Sequence, residues 1–98
     1  MPTPALSDAQ ISAALATLPG WSHDSAAGKL TRAWRFADFR EAFAFLTRVA
    51  FEAEAQGHHP EIFNCWAAVE LKLNTHDAGG RVTQKDVALA RAVSALAE

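Results

Sequence analysis

The sequence predicts an α+β fold in which a four-stranded antiparallel sheet carries three helices packed on one face. Two observations carry this prediction: three segments have apolar residues at helical spacing behind a helix-capping pattern, and pairs of short, mostly alternating segments lie between them. The resulting order, αββαββα, is typical of an antiparallel sheet with segregated helices. By length, residues 1–98 form a single domain, with residues 1–6 expected as a loose tail.

The first half of the chain predicts one helix and two strands. A capping box of Ser7 and Gln10 begins the first helix, and Pro19-Gly20 ends it. Its apolar residues recur at helical spacing: Ile11, Ala14, Leu15 and Leu18. Residues 21–23 predict a short strand, residues 25–28 a turn, and residues 29–36 a half-buried strand.

The second helix has the strongest pattern in the chain. Asp38 and Glu41 form its capping pattern, and Gly57 suits the left-handed residue that ends a helix. Phe45 and Phe51 fall outside its apolar stripe, so they either widen the core face or contact another subunit. The stripe itself comprises Phe39, Ala42, Phe43, Leu46, Ala50 and Ala53.

The last third of the chain predicts two strands and a helix. Residues 62–66 are apolar and aromatic, which predicts a buried strand with an inert Cys65 thiol. Residues 69–74 alternate and predict a strand with one buried face. After a loop at 77–80, Thr83 and Asp86 cap a helix whose apolar residues are Leu89, Ala90, Val93 and Leu96.

Composition narrows the class of protein. The formal net charge is −2 and the basic residues are scattered, so the charge pattern does not indicate binding to nucleic acid or to an anionic membrane. No apolar run approaches the roughly 20 residues of a membrane span. The N-terminal segment lacks the pattern of a signal peptide, and a single cysteine excludes an internal disulfide. We therefore expect a cytoplasmic protein that contacts neither nucleic acid nor membrane.

Three histidines and two acids lie near the ends of the predicted elements: Glu54, His58, His59, His76 and Asp86. Glu54 precedes His58 by four residues and can meet it if the helical path continues through Gly57. Imidazole both donates and accepts protons near neutral pH, and a carboxylate fixes its tautomer. Taken singly, each of these side chains also fits an ordinary surface or helix-capping role. Together they predict an acid–base site for adding or removing water.

A metal site is the main alternative, because three histidines and two acids are good zinc or iron ligands. Adjacent histidines converge poorly on one ion, however, and the HExxH spacing is absent. No glycine-rich phosphate loop is present, and no serine or cysteine has the context of a nucleophile.

The motif EAQGHHP at residues 54–60, with FN at 63–64, TH at 75–76 and Asp86, closely resembles the pterin-4a-carbinolamine dehydratases. The resemblance extends upstream through FADFREAFAFLTRVAFEAE and covers the chain from about residue 21 to the last helix. It implies the same αββαββα fold. It also implies a hydro-lyase that converts 4a-hydroxytetrahydrobiopterin to quinonoid dihydropterin and water, without a metal or dissociable cofactor.

The resemblance further implies roles for individual residues. His58, His59 and His76 would be catalytic, with acid and base not assigned individually, and Glu54 and Asp86 would orient the rings. Pterin contacts would come from Gly57, Pro60, Trp66, Asn74, Thr75 and Asp77. Gly57, Ile62 and Trp66 depart from the residues common in relatives, where an aspartate, an aromatic residue and a tyrosine are frequent.

The implied partners are the pterin substrate, further copies of the chain in a homodimer or homotetramer, and a functional link to phenylalanine hydroxylase. Two other functions stay open: a dimerisation or coactivator module, as in animal relatives, and pterin handling in molybdenum cofactor metabolism.

Overall fold

The computed structural model describes residues 2–97 and confirms the predicted order of elements. Four antiparallel strands form one sheet in the spatial order β1-β2-β4-β3. The elements are α1 (Asp8–Leu15), β1 (Ser22–Asp24), β2 (Lys29–Arg35), α2 (Phe39–Gln56), β3 (Glu61–Cys65), β4 (Ala68–Leu73), a 3₁₀ turn (His76–Ala78) and α3 (Gln84–Leu96). Within the segment expected as a loose tail, the Leu6 N–H donates to the Val82 carbonyl at 2.9 Å.

The core lies between one face of the sheet and the helices. Leu30 of β2 pairs with Leu73 of β4, and both are buried, as are Val69 and Leu71. Alternate residues of these strands point to the opposite face, since side chains alternate along a strand. The helices contribute Ile11, Ala42, Phe45, Leu46, Val49, Val87, Leu89, Ala90 and Val93 to the same core cluster. No helix among residues 2–97 is long and apolar enough to cross a lipid bilayer.

The buried face of α2 differs from the predicted stripe. Phe45 is fully buried, with its ring 4.9 Å from Trp34 and 5.1 Å from Phe36, so it is a core residue and not a subunit contact. Phe39, Phe43 and Ala50 were predicted to be buried and are exposed. The buried face of α2 is instead formed by Ala42, Phe45, Leu46, Val49 and Ala53.

The prediction of a buried strand at residues 62–66 was also wrong. Among residues 2–97, β3 pairs only with β4 and is an edge strand, so one side of its backbone and much of its side-chain surface face outwards. Ile62 and Phe63 are about half exposed, and Cys65 is exposed. Trp66 occupies the turn between β3 and β4 with a positive φ of 53°.

The turn between β1 and β2 supports the loop that follows β4. Gly28 has a φ of +72°, and a Cβ at this position would lie 2.8 Å from the Gly80 carbonyl oxygen. Only glycine permits both the left-handed backbone and this close approach. The contact places the β1–β2 turn directly against the segment that carries His76.

Candidate active site

A cleft of about 400 Å³ opens where the end of α2, the loop after β4 and the start of α3 meet. Most of the residues predicted for the site line it, including the histidine pair and His76. The full lining is Gly57, His58, His59, Asn74, Thr75, His76, Asp77 and Lys85.

The end of α2 sends the two adjacent histidines in different directions. Gly57 adopts a left-handed conformation, and the His58 N–H donates to the Ala53 carbonyl at 3.1 Å, which closes the helix. Pro60 restricts His59 to an extended backbone. The His58 side chain turns inwards and is 12% exposed, whereas that of His59 is 62% exposed.

His58 is paired with Asp86 at the start of α3. The His58 Nε2 lies 2.5 Å from Asp86 Oδ1, and the Asp86 side chain is fully buried. Asp86 Oδ2 accepts hydrogen bonds from the Thr75 hydroxyl and the Thr83 N–H, each at 2.9 Å. A buried carboxylate is stable in a protein when its oxygens are hydrogen-bonded in this way. The pair can therefore hold one orientation of the His58 ring.

Glu54 pairs with His59 and not with His58, contrary to the sequence prediction. Its Oε1 lies 3.5 Å from His59 Nε2, and both side chains are largely exposed. The predicted spacing of four residues required a continuous helix, but Gly57 ends α2 before His58 and redirects that ring. Because exposed ion pairs contribute little to stability, we assign this contact an orienting role at most.

His76 lines the same cleft from the segment after β4, a loop held by backbone hydrogen bonds. The Thr75 N–H donates to the Arg81 carbonyl at 2.9 Å, and the Gly80 N–H donates to the Thr75 carbonyl at 3.1 Å. The Asn74 side-chain amide also donates to the Gly80 carbonyl, at 3.3 Å. These contacts close the loop so that His76 and Asp77 remain exposed at its tip.

Two residues in and behind the cleft were missed as site residues. Lys85 lines the cleft, and its Nζ lies 4.0 Å from Asp77 Oδ2. Thr83 was predicted only as a helix cap, but it is fully buried and contacts the Asp86 carboxylate. The available signal was their position in the first turn of α3, beside Asp86. Thr75 lines the cleft, but its hydroxyl is directed to Asp86 and Thr83, not left free for a ligand.

The structure does not bring Trp66 to this cleft. It lies five residues beyond Glu61, at the far end of β3, which corresponds to roughly 16 Å along the strand. Its ring instead lies 5.5 Å from the Arg35 guanidinium. Pro60 is half-buried before β3 and is not among the lining residues. Its contribution is to the backbone of His59.

In residues 2–97, no three histidine, cysteine, aspartate or glutamate side chains converge as a set of metal ligands. The two adjacent histidines pair instead with two different carboxylates, Asp86 and Glu54.

The sequence is similar to that of a known protein family over nearly its whole length. A family model described as "Pterin 4 alpha carbinolamine dehydratase" matches residues 4–96. The chain belongs to this family. A dehydratase-family relative from Rhizorhabdus wittichii is 48% identical over 93 residues, covering 95% of each chain. Another from Opitutus terrae is 52% identical over 91 residues, covering 93% of this chain and 91% of the relative. Both carry the name pterin-4-alpha-carbinolamine dehydratase only provisionally.

Two solved structures of dehydratase-like proteins share the fold. A transcriptional coactivator/pterin dehydratase from Brucella melitensis has a TM-score of 0.91 and 36% identity, covering 96% of this chain and 99% of that one. A pterin dehydratase-like protein identified as a RuBisCO assembly factor in the alpha-carboxysome has a TM-score of 0.67 and 26% identity, with 80% and 89% of the two chains covered. The dehydratase fold is therefore found in proteins described with different functions.

Proposed function

We propose that this protein dehydrates 4a-hydroxytetrahydrobiopterin to quinonoid dihydropterin and water. The observation that carries the proposal is the single cleft lined by His58, His59 and His76, with a buried carboxylate behind the first of them. A protein that served only as a scaffold would have no use for three imidazoles facing one space. Membership of the dehydratase family supports the same reaction.

The reaction needs an acid and a base, and the cleft offers both. Hydroxide leaves C4a readily only when its oxygen is protonated, and loss of the N5 proton completes the elimination. His58 is the proposed base, because Asp86 stabilises the imidazolium that forms when its ring takes up a proton. His76 or His59, both exposed at the cleft, supplies the proton to the leaving oxygen. Asn74, Asp77 and Lys85 are proposed to contact the polar edge of the pterin.

A stopped-flow assay of the purified chain tests the proposed reaction. Freshly generated 4a-hydroxytetrahydropterin loses water slowly in buffer, and we expect the protein to accelerate the formation of quinonoid dihydropterin in proportion to its concentration. The same assay with phenylalanine hydroxylase as the source of substrate tests the proposed link to cofactor recycling. An unchanged rate over buffer in the first assay would remove the proposal.

The exposed Cys65 thiol supports a cytoplasmic setting for this reaction, since free thiols stay reduced there.

The two other functions make different demands on the cleft. A coactivator or dimerisation module would tolerate loss of the histidines, and a protein of molybdenum cofactor metabolism would act on other pterins. Parallel assays with those pterins and with histidine variants distinguish all three.

We also infer that the chain forms a homodimer or homotetramer through α2 and β3. An apolar groove runs between these elements, and its lining is Phe43, Leu46, Thr47, Ala50 and Ile62. In the part of the chain that the structure describes, one backbone edge of β3 is unpaired, and an identical strand can pair with it in antiparallel register. Phe51 is 74% exposed on the same helix and would be covered by a second copy.

Charged substitutions in this groove are expected to dissociate the oligomer. A charge at an interface core has no partner and loses its hydration, so Phe43→Asp combined with Ile62→Asp, two charges of the same sign, should give a monomer. Light scattering coupled to size-exclusion chromatography measures the mass. Ala26→Glu, in the exposed β1–β2 turn, adds a charge elsewhere and should keep the mass of the unmodified protein. A monomeric unmodified chain at all concentrations would contradict the inference.

A further inference from the structure

A buried polar network lies behind the cleft, beneath His58. Thr75, Thr83 and Asp86 are 3%, 0% and 0% exposed, and all three are hydrogen-bonded to one another. A helix cap accounts for only part of the network: the Thr83 hydroxyl caps α3, and the Thr83 N–H donates to the Asp86 carboxylate. The bonds from Thr75 and His58 to the same carboxylate are additional to the cap. They connect the start of α3 to the cleft.

The direction of each hydrogen bond follows from the number of protons available. An ionised carboxylate only accepts, so the Thr75 hydroxyl donates its single proton to Asp86 Oδ2. Thr83 must then donate its hydroxyl proton to Thr75 Oγ1, at 2.7 Å. The Thr83 hydroxyl oxygen in turn accepts a hydrogen bond from the Lys85 N–H at 3.2 Å. The remaining carboxylate oxygen, Oδ1, accepts from His58 Nε2. Neutral His58 therefore carries its proton on Nε2 and leaves Nδ1 as its proton acceptor.

We propose that Thr83 is a positioning residue for the acid–base site. Its N–H fixes the Asp86 carboxylate directly and its hydroxyl does so through Thr75. The carboxylate then holds His58 in the Nε2–H tautomer with Nδ1 available to the substrate. The role in catalysis rests on the proposed dehydratase function. Thr83 does not line the cleft, so it acts only through Thr75 and Asp86. Residues that hydrogen-bond a functional imidazole on the side away from the substrate have large effects on its chemistry, although they do not contact the substrate.

Thr83→Val tests the proposal, because valine keeps the volume and the backbone N–H but removes the hydroxyl. Long-range ¹H–¹⁵N spectra of the imidazole rings, recorded on the full chain at a pH where they are neutral, report the tautomer. We expect one Nε2–H form for His58 in the unmodified protein. In Thr83→Val the Thr75 hydroxyl is no longer held by Thr83, so the Asp86 carboxylate should turn away from the ring for part of the time and His58 should show a mixture of tautomers. We also expect kcat to fall about fivefold to tenfold with little change in KM, which corresponds to the loss of one hydrogen bond. Thr83→Ser should restore both the tautomer and kcat.

The matched control is Ser7→Ala, which removes the equivalent cap from α1 without touching the network. An equal loss of kcat in Ser7→Ala would assign the effect to helix stability and overturn the proposal. A single Nε2–H form of His58 in Thr83→Val would overturn it as well. If Thr83→Val does not fold, Thr75→Val interrupts the same chain of hydroxyls and is read by the same spectra. Because the spectra need no substrate, absence of dehydratase activity would count against the proposed function and leave the tautomer result to decide this inference.

Discussion

Replacing His76 with alanine is expected to slow dehydration of 4a-hydroxytetrahydropterin by about 10²–10⁴-fold, the typical contribution of a positioned proton-transfer group. His76 is exposed at the tip of its loop and lines the same cleft as the histidine pair. As an exposed imidazole of the cleft, it is the proposed donor of the proton to the leaving oxygen. Stopped-flow rates of quinonoid dihydropterin formation measure the effect.

His59→Ala identifies which exposed imidazole supplies the proton. If His76 is the acid, His59→Ala should have the smaller effect, chiefly on KM; the reverse order assigns the acid to His59. His23→Ala is the matched control, because His23 lies on β1 outside the cleft and should keep the full rate. Near-normal rates in both His59→Ala and His76→Ala would rule out the histidine mechanism.

The order of the elements was predictable because its signals are local. The capping boxes of Ser7 with Gln10 and of Thr83 with Asp86 each involve residues three positions apart, and both are formed in the structure. Gly57 likewise ends α2 in the left-handed conformation that its residue type favours. Such contacts depend on the neighbouring sequence and little on the rest of the fold.

Burial was less predictable, because it depends on which elements become neighbours. The stripe with Phe43 and the stripe with Phe45 both satisfy helical spacing, and only the packing of Trp34 and Phe36 selects Phe45. The apolar character of residues 62–66 was consistent with a central strand. Its place at the edge follows from the pairing of β4 with both β2 and β3, which no local signal contains.

The candidate site was predictable as a set of residues but not as a set of pairs. Sequence spacing favoured Glu54 as the partner of His58, whereas the structure pairs His58 with Asp86, which lies 28 residues away. Asp86 already had a sufficient local role as a first-turn carboxylate of α3, so its link to the histidine carried no separate signal. Trp66 was predicted as a pterin contact, but the turn between β3 and β4 places it at the other end of the hairpin.

Asp86→Asn is expected to have the second large effect, on stability and rate together. The amide has one oxygen for three donors, so an NH₂ group must face either His58 or the threonine and backbone donors. Leaving a buried polar group unpaired should lower the free energy of unfolding by about 1–3 kcal/mol. Urea unfolding of the full chain measures this loss.

The same substitution removes the charge that stabilises the imidazolium of His58 and fixes its tautomer, so kcat should fall by about 10²–10⁴-fold. Glu41→Gln is the control for the loss of a negative charge near a helix N-terminus. Glu41 occupies the same position in the first turn of α2, but it is exposed. This control should lower the free energy of unfolding by about 0.3–1 kcal/mol and leave kcat unchanged. If Asp86→Asn unfolds at the same urea concentration as the unmodified protein and turns over within about twofold of its rate, Asp86 does not hold His58 for catalysis. The reaction would then depend on the two exposed histidines alone.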